Sequence, residues 1–192
     1  MYAAYSFCNN IVGNPACGIN VWDMSGAYLN CTKMNGRPVC GNKVSNMAIT
    51  YANCINLTGS PVCGPNVIDM LGAYHNCQNI SGNAVCGINV INMIQTYENC
   101  FNLAGSPACG ENVILFDAAY ANCNRLSGPP VCGSNVNSMR QAYYNCQNMK
   151  GEPVCSSTVT DMAYAYYECR NISGNAVCGQ NVTDLSYAYF NC

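Results

Sequence analysis

Charge is what this sequence has least of. Lys, Arg, Asp and Glu together make up 8% of its 192 residues, against roughly 25% in an ordinary soluble domain. The seven Lys and Arg are scattered and the formal net charge is -2, so a nucleic-acid backbone or an anionic membrane meets no basic footprint. Histidine is scarce too, His75 being the single one. No Ser or Cys stands beside a plausible base outside the repeating pattern, and no glycine-rich phosphate loop interrupts it. Together these absences argue against an enzyme and give no cofactor a place to bind. No apolar run approaches the ~18 residues of a membrane-spanning helix, so membrane insertion is not expected. The N-terminus has no basic segment followed by an apolar one, so a secretion signal, if used, is expected outside this sequence. No C-x-x-C pair occurs, which ranks a structural zinc site last among the uses of the cysteines.

What is there is a repeat. Self-comparison gives a period of 23 residues without insertion, with repeats starting at Met1, Met24, Met47, Met70, Met93, Phe116, Met139, Met162 and Leu185. Counting Met1 as phase 1, phase 5 is always Tyr, phase 8 always Cys, phase 13 always Gly, phase 17 always Cys and phase 21 always Val. Unbroken register leaves no linker, so residues 1–192 read as a single repeat solenoid of eight full coils and a partial ninth. The seven Thr fall in several phases, so the repeated Thr columns of an ice-binding face are missing.

Each coil divides in two. In NVTDMAYAYYEC, Val159, Met162, Ala165, Tyr166 and Cys169 fall on one face of a short helix. Asp161 precedes it as an N-cap, a role repeated by Asp23, Asp69, Asn92 and Asp184. The other half, as in NLTGSPVCG, reads as turn, short extended segment around phases 15 to 17, and turn. The phase-13 glycine implies a positive φ or a crowded backbone, and Pro at phase 15 excludes helix there. The expectation is therefore an α/β solenoid, leucine-rich-repeat-like, with one short strand and one short helix per coil. Val21, Met24, Tyr28, Cys31, Met34 and their equivalents should face inward.

The stretches NVTDMAYAYYECRNISG and NVIDMLGAYHNCQNISG resemble the BspA-like bacterial leucine-rich-repeat surface proteins, whose coils share an N-V-T-x-M, aromatic, C-x-x-L pattern. The chain would be a 23-residue, cysteine-rich variant, with Pro, Cys and Gly in SPVCG where the family has Leu, Ile and Thr. The resemblance implies a leucine-rich-repeat solenoid displayed outside the cell, with roles in adhesion and partner binding.

The sharpest chemical signal is a pair of cysteine columns. Phase 8 holds Cys8, Cys31, Cys54, Cys77, Cys100, Cys123, Cys146, Cys169 and Cys192, and phase 17 holds Cys17, Cys40, Cys63, Cys86, Cys109, Cys132, Cys155 and Cys178. Stacked coils bring same-phase residues to about 4.8 Å, inside the ~4.4–6.8 Å Cα range of a disulfide. The columns thus read as buried thiols packing as small hydrophobes or as structural disulfides, within or between coils. Asparagine forms further columns at phases 7, 10 and 20, read as ladders that satisfy turn backbone. Asn56, Asn79, Asn171 and Asn181 also head glycosylation sequons. Tyr144, Tyr164, Tyr167, Tyr187 and Phe190 depart from the repeat at phases 3 and 6 in the last three coils. In register they would form a stripe, and Tyr is favoured at contact hot spots, which makes it the candidate partner surface.

Two functions follow. One is a non-enzymatic extracellular or cell-surface adhesion and binding scaffold for a protein or glycan partner. The other is a structural subunit of an extracellular filament or viral fibre, built by end-to-end self-association. The first coil (Met1, Tyr5, Ile11, Val21) and the last (Val182, Leu185, Tyr189, Cys192) carry ordinary repeat residues rather than polar caps. That pattern is expected of an excerpt from a longer array or of a fibre segment.

Overall fold

A computed structural model describes all of residues 1–192. The register read from the sequence is the register of the solenoid, for coil stacks on coil with every phase above its equivalent. Its secondary structure departs from expectation: there is no helix, and the strands shrink to isolated parallel bridges. All 96 backbone hydrogen bonds lie in turns and between coils.

Phases 1 to 8 form a spiral of turns in place of the expected helix. Even-phase N–H groups bond three residues back within the coil: Ala27 to Met24, Leu29 to Gly26, Cys31 to Tyr28. Odd-phase N–H groups leave the coil altogether. Met24, Gly26, Tyr28 and Asn30 donate to the carbonyls of Asn46, Ala48, Thr50 and Ala52 in the next coil, at 2.8–2.9 Å. Such alternation needs left-handed backbone at phases 3 and 7, and every coil has it, as at Gly26 (φ 60°) and Asn30 (φ 60°). An α-helix cannot contain those residues. The phase-23 side chains start this spiral rather than cap a helix: Asp23, Asn46, Asp69, Asn92, Asp161 and Asp184 each accept the N–H two residues on, at 2.7–3.0 Å. That is an Asx turn.

Two slender ladders tie the rest of the coil. Phase-22 N–H groups donate back to the phase-22 carbonyl of the preceding coil, as from Ile91 to Ile68 at 2.9 Å. Beside them, parallel bridges run at phase 23 from Asp23–Asn46 to Asp161–Asp184. Phase-12 N–H groups donate back to the phase-13 carbonyl of the preceding coil, Ser81 to Gly59 at 2.9 Å. The phase-13 glycine meets both expectations of it. Gly59 (φ 80°) and Gly151 (φ 105°) are left-handed, whereas a Cβ on Gly36 would lie 2.4 Å from Asn14 Oδ1.

The expected strand at phases 15 to 17 does not pair. Pro occupies phase 15 in six of eight coils and removes the donor a ladder needs. Instead the phase-5 Tyr of the next coil clamps phase 16. In all eight cases, from Tyr28 on Ala16 to Tyr189 on Val177, the hydroxyl accepts the N–H at 2.8–3.1 Å and donates to the C=O of the same residue at 2.6–2.8 Å.

The core is a set of continuous columns. Val44 to Val159, Met24 to Met162 and Met34 to Met149 are fully buried in their phases, while Val21 and Val182 at the ends are half-buried. The phase-5 tyrosines stack from Tyr5 to Tyr189 with ring centroids 5.2–5.7 Å apart and planes within 18°, the offset-stacked separation aromatic pairs prefer. Phase 4 admits only Ala or Thr. Where it is Thr, the hydroxyl donates to a carbonyl of the preceding coil, Thr96 to Met70 at 2.8 Å.

Candidate functional site

All seventeen cysteines are free thiols. The phase-8 column lies inside from Cys31 to Cys169, with Cys8 half-buried and Cys192 exposed, and from Cys31 to Cys192 each Sγ donates to the phase-5 carbonyl of the preceding coil at 2.9–3.0 Å. Burial pushes these thiols up, Cys54 and Cys169 to about 12. The phase-17 column is half-buried from Cys17 to Cys155 and exposed at Cys178, with each Sγ donating to the phase-18 carbonyl of its own coil at 3.4–3.7 Å. No three of the His, Cys, Asp and Glu side chains converge as a metal site.

The asparagine columns are ladders. At phase 7 Asn53, Asn76, Asn99, Asn122 and Asn145 each donate Nδ2 to the Oδ1 of the Asn one coil back, at 2.7–2.9 Å. Asn suits this place twice, since phase 7 is left-handed and Asn tolerates that conformation. The sequon residues Asn56, Asn79, Asn171 and Asn181 each donate Nδ2 to a carbonyl of the coil before.

The five aromatics that break the repeat come together as one pad. Tyr144, Tyr167 and Phe190 stack at 4.8 and 5.0 Å, and Tyr164 and Tyr187 stack beside them at 5.1 Å. The two short stacks touch, Tyr164 with Tyr167 at 5.7 Å and Tyr187 with Phe190 at 6.0 Å. Tyr187 is 58% and Phe190 44% exposed. Tyr164 and Tyr187 hold left-handed backbone (φ 59° and 55°), a strained state for a large side chain. Lower on the same face His75 Nδ1 lies 3.2 Å from Glu98 Oε2.

A second surface escaped the sequence reading. Phases 20 and 22 both point outward from the buried phase-21 valine. Ser45, Ile68, Ile91 and Ile114 then line a groove of about 600 Å³ with Asn66, Asn89, Asn112 and Asn135. The signal was present as Asn-Val-Ile in three successive coils, a period-two alternation with one apolar residue facing out.

Comparison with protein-family models, with curated proteins and with solved structures finds no match to this chain. No helix is long and apolar enough to cross a membrane.

Proposed function

We propose that the chain is a non-enzymatic binding scaffold of the cell surface or extracellular space, whose solenoid holds an adhesive face toward a protein or glycan partner. The observation that carries this reading is the aromatic pad. Five rings appear only where three consecutive coils place them in contact, and two of them occupy backbone that disfavours them. Exposed contiguous aromatics of this kind are the usual anchors of a protein interface. The likeness of the repeat to BspA-like surface proteins supports the same reading and the same location. The test compares the chain with its Tyr167→Ala/Phe190→Ala variant on a panel of immobilised glycans and surface-protein ectodomains. A partner bound by the chain and lost by roughly tenfold or more in the variant is the expected result. Equal binding by both would remove the pad from the argument.

A fibre assembled end to end is a second reading, favoured by the unbroken register in which each coil donates backbone hydrogen bonds to the next. Sedimentation of the native protein distinguishes the two, for a single 20.6 kDa species at all concentrations excludes assembly.

A further inference from the structure

We propose that the phase-17 cysteine column is a binding site for soft monovalent d10 ions, Cu(I) or Ag(I), each held as a linear two-coordinate bridge between the thiolates of neighbouring coils. Soft thiolate sulfur selects such ions.

The coil spacing fits such a bridge. Equivalent side chains repeat at the coil separation, which is 4.8 to 5.7 Å between stacked rings. Two metal–sulfur bonds of about 2.3 Å, the length in a zinc thiolate, reach ~4.6 Å in line. A disulfide instead wants Cβ atoms about 3.5–4.5 Å apart, so parallel stacked cysteines fit an ion between sulfurs with less movement than a covalent bond. A tetrahedral centre is not on offer, because no three metal-ligating side chains converge. The column presents its sulfurs two at a time.

A peptide lies alongside each such pair of sulfurs. The Gly110 N–H donates to Cys86 Sγ at 3.2 Å while Cys109 Sγ donates to the Gly110 carbonyl at 3.7 Å, so both thiols flank one glycine. Gly133 stands in the same way between Cys109 and Cys132, at 3.2 and 3.6 Å. A backbone N–H aimed at sulfur stabilises the thiolate over the thiol. Glycine at this phase is not explained by its backbone, which has no left-handed φ, but by the sulfur: a Cβ on Gly87 would lie 2.9 Å from Cys63 Sγ.

Chemistry and access agree. Each ion displaces one proton, Cys–SH and M⁺ giving Cys–S–M and H⁺, and each inner thiolate bridges two ions, so the filled column carries little net charge into a partly buried site. No electron moves. From Cys31 to Cys169 the phase-8 thiols are fully buried and bonded to carbonyls at 2.9–3.0 Å, closer than the 3.4–3.7 Å of the phase-17 thiols, so they do not compete.

The test titrates the reduced, oxygen-free full chain with Ag(I). Native mass spectrometry should count about seven ions, one for each gap between the eight phase-17 sulfurs, and about one proton should be released per ion. X-ray absorption should find two sulfur neighbours per ion. Cys109→Ser should take up two ions fewer, whereas Cys100→Ser in the phase-8 column should change nothing. Three or more sulfur neighbours, nitrogen or oxygen ligands, an undiminished count in Cys109→Ser, or an equal loss in Cys100→Ser would overturn the proposal. The coordination number and proton count come from the unsubstituted chain, so they decide the matter even if a variant fails to fold.

Discussion

A single hydroxyl does the work of a strand here. Tyr97 is fully buried, accepting the Val85 N–H at 3.1 Å and donating to the Val85 C=O at 2.8 Å. Removing that oxygen strands a donor and an acceptor on half-buried Val85, each costing about 1–3 kcal/mol where water does not reach it. Tyr97→Phe should therefore lower stability by roughly 2 kcal/mol or more in urea unfolding, while Tyr5→Phe, 42% exposed and without such a clamp, should change it little. Backbone conformation gives a gain in the other direction. Gln141 is exposed with φ 56°, a conformation that costs most L-residues about 1–2 kcal/mol and Asn less. Gln141→Asn should raise the urea midpoint by the equivalent of about 0.5 kcal/mol. Gly72→Ala should lower it by about 1–2 kcal/mol, since Gly72 has φ 53° and an added Cβ would press on Ile49 Cγ2 at 3.2 Å.

At the scale of the element, the turn spiral explains both what the sequence made legible and what it hid. Val159, Met162, Ala165, Tyr166 and Cys169 are all buried, as a helical reading of their spacing requires. Yet a run of three-residue turns returns side chains inward at the same spacings, so periodicity alone cannot separate it from a helix. The distinguishing signal was conformational and diluted. Phase 7 shows it as a column of Asn, but phase 3 is Gly only at Gly26 and Gly72 and otherwise carries residues as unlike as Ile49 and Tyr164. The Tyr clamp was beyond sequence reasoning because it joins residues 12 apart through a hydroxyl whose reach only the packed coil defines. The aromatic pad was legible because strict register places every departure from the repeat in space. One such departure gives a further prediction. Leu115 occupies the phase-23 position where six other coils start the spiral with an Asx turn and Ser138 uses its hydroxyl, and the Asp117 N–H has no such partner. Leu115→Asn should restore it and raise the unfolding midpoint by the equivalent of about 0.5–1 kcal/mol.

For the molecule as a whole, the scarcity of carboxylates and the abundance of buried Cys and Tyr set an unusual response to pH. Burial raises Cys40 and Cys132 from 9.0 to about 11, Cys63 to about 12, and Tyr74, Tyr97 and Tyr143 well above 10.0. Groups raised in the folded state contribute stability that is fully present below their unfolded values and is lost as pH climbs toward the folded ones. Glu168 is lowered by hydrogen bonds from Asn191 and Arg170, and Asp184 by Ser186. Both lie at the surface, and their contribution, lost as pH falls, is small. Circular dichroism should accordingly show folding retained well into acid and lost cooperatively above about pH 9 to 11. A chain that loses its fold near pH 4 and keeps it at pH 11 would contradict this ordering. The directions of the bonds between coils have one more consequence, and it is electrical. The spiral sends its N–H groups forward along the axis, from Met24, Gly26, Tyr28 and Asn30 to the next coil. Phase-22 amides, the Asn ladders and the phase-8 thiols all donate backward. Aligned peptide dipoles of about 3.5 D would otherwise add coil by coil, as they do along a helix. Opposed columns let a solenoid of this kind lengthen without accumulating a net dipole and its partial charges at the two ends.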